Sequence, residues 1–464
     1  MDVGLSWSMT LLCIAMGNIV QGIWITLCGF PGAKYHVPFS VQSRASFGYY
    51  LSYLMIAMRC IVAIFWYGIQ AWTGAECVQS MLYAIWPSFH NVKNTIPVNQ
   101  NITTQFMTAY VIYFLLCLPL HYVGVHKLRW FFIFKAITTP IVSFALMGWT
   151  IKEVGVSNTS LFTSGNTIHG SALSWQFLAS MYSVIGGGTT LMVNSPDYSR
   201  FAPRVQATLI TVVTIPVTSI VMAFIGVVVA SGSAIIYGAI VWDPLKLIDN
   251  WTSRGGRAAA FFVAFAFLLS QLGLNVAANS MAAANDMNCL FPRYVNIRRG
   301  QFIAAVLGAW ALTPWNILTG APAFLSFMSG YSVWLTPIVG IMLADYFCVH
   351  KGNYNVYELY KPHGIYRYNK YGFNMRAWIA FTVAWVPLLP GFLPHVNSKI
   401  TVTKGMSYLY DLGFFFAFFV AFFVYWGICA YWPATETYVE RAVTIDDDLF
   451  PASDRSIEKD EISE

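Results

Sequence analysis

Apolar runs of membrane-spanning length follow one another along almost the whole chain, separated by short polar segments. A helix of about 20 apolar residues is long enough to cross a lipid bilayer. The pattern predicts eleven such helices, at 5–29, 49–76, 105–123, 130–151, 173–194, 207–231, 259–284, 301–320, 323–349, 377–393 and 410–432. We therefore expect an all-α membrane protein in which residues 1–433 form one transmembrane domain.

Basic residues are concentrated in alternate loops, which indicates the orientation of the helices. Fifteen of the 26 Lys and Arg residues lie in the first, third, fifth, seventh and ninth loops, whereas seven lie in the others. The positive-inside rule makes the first set cytoplasmic. The acidic tail at 434–464, whose composition predicts disorder, is then cytoplasmic too. Eleven spans place Met1 outside, so an even count with one further span before Met1 is the more ordinary arrangement.

The composition excludes several classes of protein. The 464 residues are 57% hydrophobic and only 10% charged, which excludes a soluble domain. The net charge of +6 comes from loops between apolar runs and is not a nucleic-acid footprint. The eight Cys include no CxxC pair and the eight His show no metal spacing, so we expect no metal and no cofactor. HExxH, paired acidic metal motifs and a Ser–His–Asp pattern are absent from the sequence, so no catalytic residues are assigned.

The stretch Gln271–Gly300 combines an apolar helix with a cationic loop, and its helix carries Asn275, Asn279 and Asp286. The two asparagines are four residues apart and the aspartate follows Asn279 by seven, so all three share one helix face. Polar side chains inside a membrane helix are costly and by default indicate a functional site. The alternative is hydrogen bonding between helices, which such residues also provide.

The second predicted span contains Trp66 and Gln70, which lie one helical turn apart. An indole can stack on a flat ring, and a carboxamide offers that ring both a donor and an acceptor. Alternatively, Trp66 faces lipid and Gln70 bonds a neighbouring helix. Glu76, near the outer end of the same span, is either a proton site or a side chain that reaches the membrane surface.

The fifth predicted span contains three consecutive glycines, Gly186, Gly187 and Gly188. Glycine weakens a helix, and an interrupted membrane helix is a pointer to a transporter binding site. Close packing of helices through small residues explains the glycines equally well.

Several long motifs resemble the nucleobase–cation symporter family, most of all its fungal-type uracil, allantoin and uridine permeases. They are SRASFG (43–48), WYGIQAW (66–72), NSPDYSRFA (194–202), NVAANS…AND (275–286) and FPRYVNIRRG (291–300), with PWN (314–316) and YGFNMRAW (371–378). The motifs stand in the family's order, and the resemblance covers about Leu5 to Pro433.

This resemblance implies a bundle of twelve helices, of which the first ten form two inverted five-helix repeats and two more follow. It implies that Trp66 stacks on the substrate ring, that Gln70 and Asn279 hydrogen bond it, and that Asp286 takes part in gating or coupling. Asn275 is the neighbouring member of the same stripe. Gly187 and Gly188 occupy a region where the family often has an aromatic residue or Asn, which implies a larger or altered pocket.

The start of the chain departs from the family pattern, because GLSW at 4–7 aligns with the beginning of the second family helix. The first helix, which lines the substrate and cation sites, is therefore expected to be missing. We favour a sequence that begins too late over a truncated protein that does not transport and acts as a receptor or interaction partner.

The resulting hypothesis is import of a nucleobase or a related heterocycle across the plasma membrane by proton symport. The expected partners are the heterocycle, the proton and the lipid bilayer, and the oligomeric state is not predicted. In resembling sodium-coupled bacterial relatives, sodium is held by the first and eighth helices, whose eighth-helix positions match Ser270, Gly273 and Leu274. Only Ser270 has a hydroxyl, so the oxygen cage is incomplete and Asp286 or Glu76 is the expected proton site. A thiamine-type vitamin transporter is the alternative, although a cationic cargo would favour a carboxylate in the pocket.

Overall fold

The computed structural model describes residues 4–155, 167–317, 321–397 and 399–444. These residues are almost entirely helical, and the one β-bridge among them pairs Asn355 with Val443. In the first half of the chain the α-helices are α1 (Trp7–Tyr35), α2 (Phe39–Phe47), α3 (Leu51–Ile85), α4 (Thr104–Tyr122), α5 (Arg129–Val154), α6 (Ser171–Val193), α7 (Ser195–Ser199) and α8 (Ile210–Tyr237).

The second half of the chain is equally helical. Its α-helices are α9 (Pro244–Ile248), α10 (Arg254–Leu274), α11 (Met281–Leu290), α12 (Ile297–Val306), α13 (Pro314–Ile317), α14 (Ala321–Leu343), α15 (Val356–Leu359), α16 (Met375–Trp385), α17 (Leu389–Val396), α18 (Lys404–Asp411) and α19 (Gly413–Tyr431).

Within the described ranges, nine helical segments are long and apolar enough to cross a membrane. They correspond to nine of the eleven predicted spans. The predicted span at 173–194 is present as α6, and the one at 301–320 contains most of α12, the π-helical residues 307–311 and α13, but neither is among the nine. Residues 318–320 of the second span lie outside the described residues. An apolar surface all round a helix is typical of membrane burial. In lipid such a segment must satisfy its backbone hydrogen bonds internally, and the α-helix does so.

In the part of the chain that the structure describes, three helices contain or are followed by a π-helical segment, in which the backbone accommodates about one extra residue per turn. These segments are Asn275–Ser280 between α10 and α11, Leu307–Ala311 after α12, and Ala344–Val349 after α14. Such segments are frequent at functional sites. The first of them coincides with the polar stripe that the sequence analysis selected.

The chain divides into two compact units, each with its own core. The first comprises Met1–Asn18, Cys60–Val184 and Ile215–Phe327. Its core contains completely buried tyrosines from α3 and α4, with aliphatic residues from α8 and α10 around them. The candidate residues Trp66, Gln70, Asn279 and their neighbours belong to this unit.

The second unit comprises Ile19–Arg59, Ile185–Thr214 and Met328–Glu464. At its centre, the fully buried Asp345 carboxylate accepts hydrogen bonds from Tyr425 Oη (2.6 Å), Tyr354 Oη (2.7 Å) and Ser46 Oγ (3.1 Å). His350 Nδ1 lies 3.1 Å from the same carboxylate. A buried carboxylate with this many partners joins four segments of the unit.

The beginning of the predicted disordered tail packs in this second unit. Val443 N donates to Tyr354 O at 3.0 Å, and Val356 N donates to Val443 O at 3.0 Å. Thr437 is completely buried and its hydroxyl lies 3.0 Å from His350 Nε2. Residues 434–444 are thus held against the 350–356 segment, and residues 445–464 lie outside the described residues.

Candidate functional site

Two asparagines of the π-helical segment bind the backbone of α3, and they bring the predicted site residues together. Asn279 Nδ2 donates to Trp66 O at 3.3 Å, and Asn275 Nδ2 donates to Tyr67 O at 3.3 Å. Asn279 Nδ2 also lies 3.0 Å from Asn275 Oδ1. Trp66 and Asn279 are therefore neighbours on two helices of the first unit.

The two asparagines differ in what they leave free. Asn275 is completely buried, and its amide also donates to Tyr113 Oη at 3.3 Å. Asn279 is 7% exposed, and in the described part of the chain no donor reaches its Oδ1. Asn279 can therefore offer its side-chain carbonyl oxygen to a ligand N–H. Asn275 instead accepts a hydrogen bond from Asn279 and so holds the Asn279 side chain in place.

Behind these asparagines lies a polar network that sequence reasoning missed. Tyr67 Oη lies 2.9 Å from His121 Nε2, and Ser280 Oγ lies 3.3 Å from His121 Nδ1. All three residues are completely buried. Each such bond between membrane helices contributes about 0.6–2 kcal/mol, and together they fix α3 and α4 against the π-helical segment. The available signal was three polar residues inside apolar runs, of which Tyr67 follows Trp66 directly.

Trp66 and Gln70 are both half-buried on α3. The Trp66 indole meets the Phe327 ring edge to face, with ring centroids 5.9 Å apart. The Gln70 carboxamide has no hydrogen-bond partner among the described residues and lines a cavity of about 390 Å³. The arrangement provides an aromatic surface, an amide oxygen and a free carboxamide in one unit, which suits a flat polar ring.

The two candidate proton carriers have different surroundings. Asp286 on α11 is 1% exposed. Glu76 on α3 is half-buried, lines the same cavity as Gln70, and accepts a hydrogen bond from Trp72 Nε1 at 3.1 Å. Glu76 is therefore accessible from the cavity, and Asp286 is enclosed by protein.

Of the two readings of the three glycines, an interrupted helix and close packing between helices, the structure favours close packing. α6 runs without a break from Ser171 to Val193, and the chain leaves the helix only at Asn194. A Cβ atom on Gly186 would lie 2.6 Å from Met328 O, and one on Gly188 would meet the Gln21 carboxamide. These glycines therefore permit close packing inside the second unit. The effect of Gly187 and Gly188 on a substrate pocket stays a prediction.

Residues 1–417 match the family model described as permease for cytosine/purines, uracil, thiamine, allantoin. The chain belongs to this permease family. It is 43% identical to an uncharacterized permease of Schizosaccharomyces pombe, over 96% of this chain and 79% of that protein. It is 34% identical to the allantoin permease of Saccharomyces cerevisiae, over 96% of this chain and 71% of that protein.

A solved structure supports the same fold for this permease. It is Mhp1, a nucleobase-cation-symport-1 family transporter in a closed conformation with bromovinylhydantoin bound, with a TM-score of 0.75 and 20% identity. The likeness covers 94% of this chain and 88% of that one. The family resemblance and the predicted class of an all-helical transporter bundle are therefore confirmed.

The permease has a further acidic group beside Gln70 that the sequence analysis did not select. Asp243 immediately precedes the short helix α9 and lines the same cavity as Glu76 and Gln70. Asp243 is 6% exposed, and burial raises the pKa of its carboxyl group. Its sequence neighbourhood, VWDPLK, gave only the signal of a helix start.

Proposed function

We propose that this permease is a secondary active transporter that imports an uncharged nucleobase or related heterocycle of the uracil, allantoin or uridine type. The observation that carries the proposal is the hydrogen bond from Asn279 Nδ2 to the Trp66 backbone carbonyl, which holds the asparagine and the tryptophan next to each other. An uncharged ring with N–H and carbonyl edges needs a stacking surface and amide partners rather than a counter-ion. We assign the protein no catalytic role.

Radiolabelled uptake tests this proposal in cells that lack their own transporters. The panel is uracil, uridine, allantoin, cytosine and thiamine, with the Trp66→Ala variant as the matched negative control. Saturable uptake of at least one uncharged ring, lost in the control, is the expected result. Preferential uptake of thiamine would replace the proposal with a vitamin transporter. If none of the five accumulates while the protein is at the cell surface, a receptor or interaction role takes its place.

We propose that the driving ion is the proton rather than sodium. The Lys135 side chain on α5 passes directly over Gly273, one of the positions matched to a sodium site: a Cβ atom there would lie 2.7 Å from Lys135 Cδ and 2.9 Å from Nζ. An ammonium group so close disfavours a second cation by direct repulsion. Asp286 and Glu76 supply carboxylates that can carry a proton instead.

We also propose that the protein resides in the plasma membrane with its C terminus in the cytoplasm. The alternation of basic loops supports this orientation. An epitope tag after Glu464, detected with and without permeabilisation of the cells, distinguishes the two orientations. Labelling of intact cells would contradict the proposal.

A further inference from the structure

The cavity beside Gln70 is lined by carboxylates, aromatic rings and carboxamides. Two carboxylates, Glu76 and Asp243, face it together with the aromatic rings of Trp72, Trp242 and Phe267. The carboxamides of Gln70 and Gln271 complete its polar lining. Its volume of about 390 Å³ is in the range of small-molecule sites. All of these residues belong to the first unit.

Of the two oxygens of the Asp243 carboxylate, one has a hydrogen-bond donor among the described residues and the other has none. Its Oδ1 accepts a hydrogen bond from Leu245 N at 2.9 Å and caps α9. Its Oδ2 is buried and has no partner among the described residues. A buried carboxylate oxygen without a donor is costly, so it favours a ligand that brings positive charge or an N–H group.

The basic residue in the lining does not neutralise this carboxylate by direct contact. Lys246 Nζ lies 5.8 Å from the centroid of the Trp242 ring, and within the described ranges it forms no ion pair shorter than 4.0 Å. Two carboxylates and one ammonium leave the lining with a formal charge of −1, beside three aromatic rings. Aromatic faces attract organic cations, and the attraction grows when the cation is desolvated.

From these features we propose that the cavity is a second binding site, which takes a small heteroaromatic cation in front of Gln70. Asp243 Oδ2 and Glu76 provide the opposite charge, and the indoles provide the stacking surface. Because Gln70 lines this cavity and is also expected to bind the transported ring, a cation bound here competes with that ring for Gln70. The cation is then a blocker and not the cargo. Binding is independent of the proposed function, whereas the blocking effect rests on it.

Direct binding to the purified full chain in detergent tests the site. The probes are 1-methylnicotinamide, a cation, and nicotinamide, its uncharged counterpart, measured by titration calorimetry at pH 8. An alkaline pH is chosen because burial raises the pKa of Asp243, and a higher pH favours its ionised form. We expect the cation to bind at least about ten-fold more tightly than the neutral ring, the equivalent of roughly 1.4 kcal/mol.

Two substitutions on the same loop locate the site. Asp243→Asn removes the charge but retains a good helix cap, so it should leave the fold intact and weaken cation binding about ten-fold. Asp249→Asn, six residues away in a neighbouring cavity, is the matched control and should change affinity less than about two-fold. Glu76→Gln provides a second loss of charge within the cavity and should also weaken binding.

Three results would overturn the site: equal affinity for both probes, unchanged cation affinity in Asp243→Asn, or no cation binding by the native chain. In cells that take up a heterocycle, external 1-methylnicotinamide should inhibit uptake by the native protein but not by Asp243→Asn. Binding without inhibition would contradict the blocking effect alone. Binding by a protein that transports no heterocycle would leave the site standing and count against the proposed function.

Discussion

At the scale of single residues, Trp66 and Asn279 have unequal but complementary parts in the proposed site. Trp66 supplies the stacking surface, because its half-buried indole can lie against a flat ring. Asn279 supplies direction, because its Nδ2 is held by two protein acceptors and its Oδ1 is left for a ligand. This division allows each residue to be tested by a different measurement.

Replacement of Trp66 by Ala should abolish uptake, because it removes the stacking surface while the helix remains intact. Trp66→Phe should retain part of the rate, since stacking on a smaller ring still contributes about 0.5–1.5 kcal/mol. Trp86→Ala is the control, because Trp86 follows the same helix and is 57% exposed. Uptake that is equal in Trp66→Ala and the native protein, at equal surface abundance, would remove Trp66 from the site.

Asn279 and Asn275 should separate binding from stability. Asn279→Ala leaves a polar edge of the ring unpaired, which costs roughly 1–3 kcal/mol and raises the apparent KM about ten-fold or more. Asn275→Ala breaks contacts with Tyr67 and Tyr113 and should chiefly lower the thermal unfolding temperature. Uptake kinetics and melting of the purified variants distinguish the two. The reverse pattern would assign Asn275 to the substrate and Asn279 to the fold.

At the scale of helices, the close approach of α3 to the π-helical segment 307–311 holds the helix that carries Trp66. A Cβ atom on Gly68 would lie 2.5 Å from Gly308 O, and one on Gly308 would lie 2.6 Å from Ile64 O. Two backbones can approach this closely only where both residues lack a side chain. The position of Trp66, two residues before Gly68, depends on this contact.

Gly68→Ala should therefore destabilise the protein by about 1–3 kcal/mol, because the added methyl group meets a backbone carbonyl that cannot rotate away. The matched control is Gly148→Ala on α5, where a Cβ atom would meet nothing within 4 Å. That change should be neutral or slightly stabilising, since Ala favours helix. Thermal unfolding in detergent measures both, and equal melting temperatures would show that α3 can move without cost.

The helices also show which features could be predicted from the sequence. The apolar runs predicted most spans, and the i, i+4 spacing correctly placed Asn275 beside Asn279, because both depend on local periodicity. The glycines of α6 left two readings open at the sequence level, since neighbouring helices decide whether a glycine breaks a helix or packs against another. His121 was missed because its hydrogen-bond partner Tyr67 is 54 residues away in the sequence. Asp243 was missed because its importance depends on a cavity that only the folded chain forms.

At the scale of the whole molecule, the family and the fold are established, and the proposed coupling to protons follows from charges inside the first unit. The sequence indicated an incomplete oxygen cage at Ser270, Gly273 and Leu274. We expect the Lys135 side chain beside Gly273 to favour the same outcome, because a positive charge there repels a metal ion.

Uptake should therefore collapse when a protonophore is added and should be unaffected when choline replaces sodium. The reason for the expected result is that Asp286 and Glu76 can bind a proton, whereas Lys135 disfavours sodium. Sodium-dependent uptake that survives the protonophore would contradict the role given to Lys135.

The π-helical segment Asn275–Ser280 makes the site sensitive to the length of the chain as well as to its chemistry. The segment holds about one residue more than a regular α-helix of the same length, so loss of one residue such as Ala277 would let it return to α-helix while α10 and α11 keep their faces. Asn279 would then follow Asn275 by three residues instead of four, and the spacing of the two amides would change although every polar side chain would still be present. The number of residues in this segment is therefore part of the site, and a substitution does not test it because a substitution leaves that number unchanged.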